Sequence, residues 1–317
     1  MTQAALEYLL FLAKTLTVVV AIIAVILAFL SLSRRQREAE GLKVINLNTR
    51  LRRAADQVRL ALLPKAERKR LVKQRKKESK ASKSEQRKRI FVIDFRGDIR
   101  ASATSSLREE VSALISVAEP GDEVLVRLEN TGGLVHEHGL AASQLVRIRE
   151  CGIPLTVAVD KVAASGGYLM ACVADRILAA PFAIVGSIGV LAQVPNFRRL
   201  LDERGIAVEQ VKAGRYKRTV SMFGEVTDED REKLREELEE VHGLFQAMVA
   251  KYRPQLDLER VATGEYWYGS RALELELVDA LGTSDDWLAQ RVGEAEVWKL
   301  EWRARKRLMD KLAASMS

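Results

Sequence analysis

Cysteine is nearly absent from this 317-residue chain. The two present, Cys151 and Cys172, have no basic cluster beside them in sequence, which excludes a disulfide framework and gives no sign of a thiolate nucleophile. Histidine is also scarce, with His136, His138 and His242 the whole set. His136 and His138 have no Cys or carboxylate cluster to complete a ligand set, so neither a metal nor another cofactor is expected. Aromatic residues make up 6% of the chain, and none lies between Arg34 and Ile90, where its positive charge gathers. That stretch therefore lacks the stacking platforms with which basic proteins hold bases, and nucleic acid is not an expected partner.

Charge itself is missing from residues 15–32, which are almost wholly apolar. With Tyr8–Ala13 added across Lys14 the run is long enough to span a bilayer. A cleaved signal peptide would need an early positive region and a small-residue cleavage site, whereas this segment carries Glu7 and ends at Arg34-Arg35. Residues 1–33 are read as a transmembrane anchor. Residues 34–90 then hold 21 Lys and Arg against 6 Asp and Glu, in a chain whose net charge is +8. Val44, Leu47, Leu51, Ala54, Val58 and Leu62 recur at helical spacing, which suits a helix lying on anionic lipid headgroups or a short coiled coil. Lys65–Arg89 has too few apolar residues to pack and reads as a tether, so 34–89 is taken as a basic connector. A positive excess just after the anchor favours a cytoplasmic position for everything that follows it.

From Ile90 strands and helices alternate: Phe91–Phe95, a helix through Leu107–Val117, Val124–Leu128, a helix through Leu140–Arg149, Leu155–Val159, a small-residue helix after Ser165, and Ile177–Ala179. That rhythm predicts an α/β domain, here bounded at 90–302, with 303–317 a basic amphipathic tail. Thr227-Asp-Glu-Asp230 opens a long charged helix reaching about Arg253. The informative point is Ser165-Gly166-Gly167, a hydroxyl followed by paired glycines at a strand-to-helix turn. Free backbone N–H groups there favour developing negative charge, and glycine lets a carbonyl approach. Asn130-Thr-Gly-Gly133 ends the preceding strand the same way, so two glycine turns can face one cleft. A serine needs a base, either His136 or His138, or a lysine made neutral by burial, for which Gly214-Arg-Tyr-Lys217 is the downstream candidate.

Leu47-Asn-Thr-Arg-Leu51, Val92-Ile-Asp-Phe-Arg-Gly97, Gly139–Leu145, Asp160–Asp175, Ala180–Val190, Ala213–Thr219, Arg235–His242 and Ala262–Gly269 together resemble the signal peptide peptidase A family of serine proteases, over nearly the whole chain. The resemblance implies a ClpP/crotonase-like α/β fold and a Ser-Lys endopeptidase cleaving signal-peptide remnants or other apolar polypeptides. It makes Ser165 the nucleophile, Lys217 the general base, Ser187 the hydroxyl that orients the lysine, and the N–H groups of Gly132 and Gly166 the oxyanion hole. The family usually reads Ser-Pro-Gly-Gly at the first glycine turn; Asn130 and Thr131 stand in the Ser-Pro places, which removes proline's fixed φ. It further implies a bacterial inner-membrane location and a homo-oligomeric ring of about eight, with serine and lysine of one site supplied by adjacent protomers. Members of the family place the catalytic domain on the outer face, opposite to the charge argument. Two other readings use the same turns: an acyl-CoA enzyme on the crotonase scaffold, and a membrane-tethered oligomeric scaffold with little or no activity.

Overall fold

The computed structural model describes residues 10–23, 26, 41–64, 67 and 87–303. Most of the expected anchor, the tether and the tail at 304–317 lie outside the described residues. Residues 10–23 are helical and exposed, and among the described residues no helix is long and apolar enough to cross a membrane. The chain divides into two compact units, one made of residues 1–43 and 301–317 and the other of residues 44–300. The second carries the chemistry.

Strands β1 (Gly41–Asn46), β2 (Arg89–Arg96), β3 (Glu123–Glu129), β4 (Leu155–Val159), β6 (Arg176–Ala179), β9 (Ala280–Leu281) and β10 (Glu296–Arg303) form a seven-stranded sheet in the order β1-β10-β2-β3-β4-β6-β9. From β10 to β9 every neighbouring pair is parallel, with Phe91 opposite Val124 and Val126 opposite Val157. Parallel strands need crossovers that cover the sheet, so these strands read as nearly unbroken apolar runs rather than alternations. One face packs Ile90, Val92, Leu125, Ala158, Leu178 and Val297 against Leu47 of helix α1 (Leu47–Leu62) and against Trp287 and Leu288 of a helix at Ser284–Arg291. On the other side of the domain helices α2 (Thr104–Val117) and α3 (Val135–Glu150) bury Leu107, Val111, Leu114, Ala141, Leu145 and Ile148. Each expected strand and helix from Phe91 to Ala179 forms within a few residues of its expected place.

Three local findings refine the sequence reading. Leu47 and Asn48, inside the expected connector, belong to the core; the buried Asn48 amide donates to Val292 O (2.8 Å) and Ala295 O (2.7 Å) and accepts from Val297 N (2.6 Å). Val208–Val211, with a valine at each end ahead of Gly214, forms no strand and is exposed coil. The long charged helix runs Asp228–Tyr252, opened by a reciprocal cap in which Asp230 N donates to Thr227 Oγ1 (3.1 Å) and Thr227 N to Asp230 Oδ2 (3.0 Å).

A second, three-stranded sheet joins β5 (Val162–Ala164), β7 (Ile184–Gly186) and β8 (Tyr266–Tyr268), β5 parallel to β7 and β7 antiparallel to β8. It sits where the chain leaves the carboxyl ends of β3 and β4. Helix α4 (Gly166–Ala171) follows β5 directly and packs against α3.

Candidate active site

Ser165 occupies the single residue between β5 and α4, and its backbone shows what that turn demands. Its φ is 51° and ψ −120°, a left-handed conformation that a non-glycine residue adopts at a cost of about 1–3 kcal/mol. Surrounding bonds hold it there. Ser165 N donates to Gly186 O (2.8 Å), Leu169 N donates to Ser165 O (3.0 Å), and Cβ-free Gly166 and Gly167 admit the neighbours packed on them. The result is a sharp elbow that sets the hydroxyl at the tip of a strand, ahead of a helix whose first N–H groups are free.

The first glycine turn is fastened to this elbow. Asn130 N donates to Val162 O (2.9 Å) and Ala164 N to Asn130 O (3.0 Å), a parallel bridge that brings the end of β3 alongside β5. Gly132, at φ +88°, then lies so close that a Cβ on it would meet Ser165 Cβ at 2.7 Å and Gly166 N at 2.8 Å. The two glycines expected to line an oxyanion hole therefore face each other across the serine. Gly132 N–H itself donates to Asn130 Oδ1 (2.9 Å).

Ser187 directly follows β7, one residue past the carbonyl that receives Ser165 N. It too has positive φ, 53°; its N–H donates to Glu265 O (2.6 Å) and its Oγ to Gly264 O (3.3 Å). Lys217 makes no hydrogen bond to this cluster among the described residues. It lies on residues 189–227, an arm with one short helix, Arg198–Asp202, and its side chain is exposed and makes no hydrogen bond among the described residues. Its neighbours are tied to the long helix instead: Arg215 pairs with Glu229, and Lys233 and Arg215 both lie over the Tyr216 ring. The arm exposes Leu191, Phe197, Ile206, Tyr216 and Phe223, and Val211 is 96% exposed. A cleft of about 670 Å³ opens between this arm and the start of the long helix, lined by Val194, Asn196, Arg198 and Leu234 and by none of the serine or glycine residues above.

The alternative base is not assembled. His136 is exposed and its Nε2 lies 3.8 Å from Glu137. His138 is fully buried, with Nδ1 3.0 Å from Leu134 O and Nε2 3.2 Å from Asn130 Oδ1, so neither nitrogen reaches Ser165. Cys172 is a core residue; burial pushes its thiol up to about 12, which keeps it inert. The sequence reading missed the buried contact between Asn130 and His138. An Asn two places before a turn glycine is the one local signal for it, because that spacing lets the amide accept the glycine N–H.

A strained serine elbow with a glycine turn packed on it stands on a parallel α/β sheet, and the family that matches the sequence gives the class, a peptidase. The family model "Peptidase family S49 N-terminal" matches residues 3–145 and "Peptidase family S49" matches residues 147–297, and the chain belongs to that family. It is 43% identical over 319 residues to "Probable protease SohB" of Haemophilus influenzae, covering 96% of this chain and 90% of that one. It is 51% identical over 231 residues to the protein of the same name in Buchnera aphidicola of Acyrthosiphon pisum, covering 73% and 69%. Among solved structures it is similar to the ClpP protease catalytic domain of Plasmodium falciparum, at TM-score 0.39 and 10% identity over 61% of this chain and 85% of that one. The α/β fold that the sequence blocks imply is the fold described above.

Proposed function

We propose that this peptidase is a membrane-anchored serine endopeptidase in which Ser165 attacks and Lys217 is the base. The observation that carries the reading is the Ser165 elbow, held at positive φ with Gly132 packed against it. Strain of this kind persists where surrounding structure over-determines it, and it aims the hydroxyl outward. In the reaction a neutral Lys217 amine takes the Ser165 Oγ proton as Oγ bonds to the substrate carbonyl carbon. Negative charge moves to the carbonyl oxygen, which the N–H groups of Gly166 and Gly132 receive. Collapse expels the amine, which leaves with the proton held by Lys217, and water then releases the acyl group by the same steps in reverse. Ser187 Oγ positions the lysine.

For this to work Lys217 has to come from a neighbouring copy. The arm's exposed apolar side chains are the surface that contact would bury, and burial is also what makes a lysine amine neutral. A closed ring of about eight subunits with head-to-tail contacts satisfies both needs. Residues 1–33 anchor the chain in a bacterial inner membrane and the exposed basic side chains of the connector meet anionic headgroups, with the 90–302 domain on the cytoplasmic side and the tail at 303–317 facing solvent or a partner. Its substrates are apolar polypeptide segments such as signal-peptide remnants. The test is to mix Ser165→Ala and Lys217→Ala protomers under exchange conditions and follow an apolar fluorogenic peptide. Recovered turnover from two dead proteins is expected; a fully active monomer, or Ser165→Ala with wild-type turnover, refutes the reading.

A further inference from the structure

Most of helix α1 stands exposed. Of its residues only Leu47 and Asn48 are buried, and Leu51, Val58 and Leu62 are open to solvent, Leu62 at 80%. At about 100° per residue, Leu47, Leu51, Ala54, Ala55, Val58 and Leu62 fall within an arc of about 100°, the width of a face that packs on something. Arginines border that arc on both sides, Arg50 on one and Arg52 and Arg59 on the other. The one acid of the helix, Asp56, lies on the far side, 3.8 Å from Arg59, and Arg50, Arg52 and Arg53 form no ion pair among the described residues.

The first turn of α1 is held firmly. Asn46 Oδ1 caps it by accepting from Thr49 N (2.8 Å), and the buried Asn48 amide is bonded to Val292, Ala295 and Val297. Those partners stand at or just before the amino end of β10, where Val297 lies opposite Ile90 of β2. The glycine turn packed on Ser165 instead follows Glu129, the last residue of β3. The helix is therefore tied to the amino end of the sheet, and the serine elbow belongs to the carboxyl end.

Charge and shape decide what covers the arc. A second α1 would set arginine against arginine, because no Glu stands beside the stripe to pair with them. The long helix Asp228–Tyr252 of another copy is rich in acids, but among its large apolar side chains only Leu244 is exposed, so it offers charge without an apolar surface. An anionic bilayer offers both, acyl chains for the leucines and phosphates at the level where the arginines emerge.

We propose that α1 is an interfacial helix that lies on an anionic bilayer, its apolar arc in the outermost acyl layer and its arginines among the phosphates, with Asn48 fixing the catalytic sheet to it. The proposal rests on the reading of the chain as membrane-anchored and deepens it. A single anchor lets a domain swivel on its tether, whereas a lipid-bound helix pinned to the sheet sets the orientation of the Ser165 elbow to the membrane surface.

The experiment uses the full chain on vesicles of phosphatidylcholine, with or without phosphatidylglycerol. A nitroxide is placed by Val58→Cys, Leu62→Cys or Gln57→Cys in a Cys151→Ser background, the remaining Cys172 being buried. With phosphatidylglycerol present, oxygen and nickel relaxation should put the labels at 58 and 62 about 5–10 Å below the phosphates and leave the label at 57 in water. Each arginine contributes about fivefold to partition onto such a surface, so changing Arg50, Arg52 and Arg59 together to Gln should weaken it about a hundredfold and return the label at 58 to water. Labels at 58 and 62 in water, burial of all three labels alike, or the same depth on phosphatidylcholine alone overturns the proposal. Spin–spin broadening between copies at 58 in place of lipid contact overturns it in favour of a helix pair. Flotation of the protein with the vesicles reads the anchor separately. Protein that floats on both vesicle types with α1 in water keeps the anchor and loses the interfacial helix; flotation on anionic vesicles alone keeps the helix and loses the anchor; no flotation removes both.

Discussion

Replacing Gly132 by alanine tests the site where its geometry is tightest. At φ +88° an L-residue costs about 1–2 kcal/mol, and the added methyl would stand 2.7 Å from Ser165 Cβ, 2.8 Å from Gly166 N and 2.9 Å from Ala164 O. Two of those three atoms are backbone and cannot rotate away, so the turn has to back off from the elbow by several tenths of an ångström. That displaces one proposed oxyanion donor and crowds the other, and the expected loss is about 10²–10³ in kcat with little change in KM. Gly139 supplies the matched control. It lies seven residues along, inside α3, with ordinary φ and open space where a Cβ would go. Gly139→Ala should stabilise by about 0.5–1 kcal/mol through helix propensity, a rise of roughly 1–4 °C in Tm for a domain of this size. Steady-state kinetics and thermal melts on the pair separate the two effects. A Gly132→Ala enzyme with wild-type kcat would refute the idea that this turn touches the transition state.

Two further outcomes concern the framework. Burial alone would raise the Asp94 carboxyl, but hydrogen bonds from Arg127 (2.5 and 2.8 Å) and from Lys299 hold it below the usual carboxylate range. A lowered folded-state value adds stability that is present above the unfolded pKa of about 3.9 and is lost as pH falls through the folded value, so Asp94→Asn should flatten the acid end of a denaturation profile; an unchanged profile contradicts the pairing. Asn48→Ala removes the three bonds to Val292, Ala295 and Val297, leaves two carbonyls and an N–H buried, and should cost about 1–3 kcal/mol per orphaned group while opening Leu47–Leu62 to limited proteolysis. Unchanged cleavage there would mean that α1 is held by other contacts.

Local chemistry explains which parts of this molecule could be read in advance. Strands of a parallel sheet covered on both faces are short apolar runs, and Val124–Leu128 and Leu155–Val159 stood out for that reason. Ser165 stood out because a second glycine turn, Gly132-Gly133, ends the preceding strand; alone, a serine there is an ordinary helix cap. Val44–Leu62 was harder, since its apolar spacing fits a lipid surface as well as a protein core, and what docks it is Asn48, a polar residue bonded to atoms almost 250 positions away. No window of sequence contains that pairing. The Asn130–His138 contact was hidden differently: both residues were noticed, one as a departure from the family's turn and one as a rival base, but their meeting depends on α3 folding back over the glycine turn.

Lys217 is the opposite case, legible in sequence and unplaced in a single chain. The four residues at strand ends, Gly132, Ser165, Gly166 and Ser187, converge because each is fixed by a sheet or by the bridge at Asn130. The arm that carries Lys217 has one short helix to hold it, and its apolar side chains find no core of their own. Burying five or so exposed large side chains at about 1.5–3 kcal/mol each would yield ample energy to order such an arm against a second subunit. The same burial would strip water from the lysine amine. On the proposed mechanism, a site completed only by a neighbouring subunit's lysine would confine proteolysis to the complete oligomer. That would follow from carrying the proposed nucleophile at a strand end and the proposed base on an arm with one short helix to hold it.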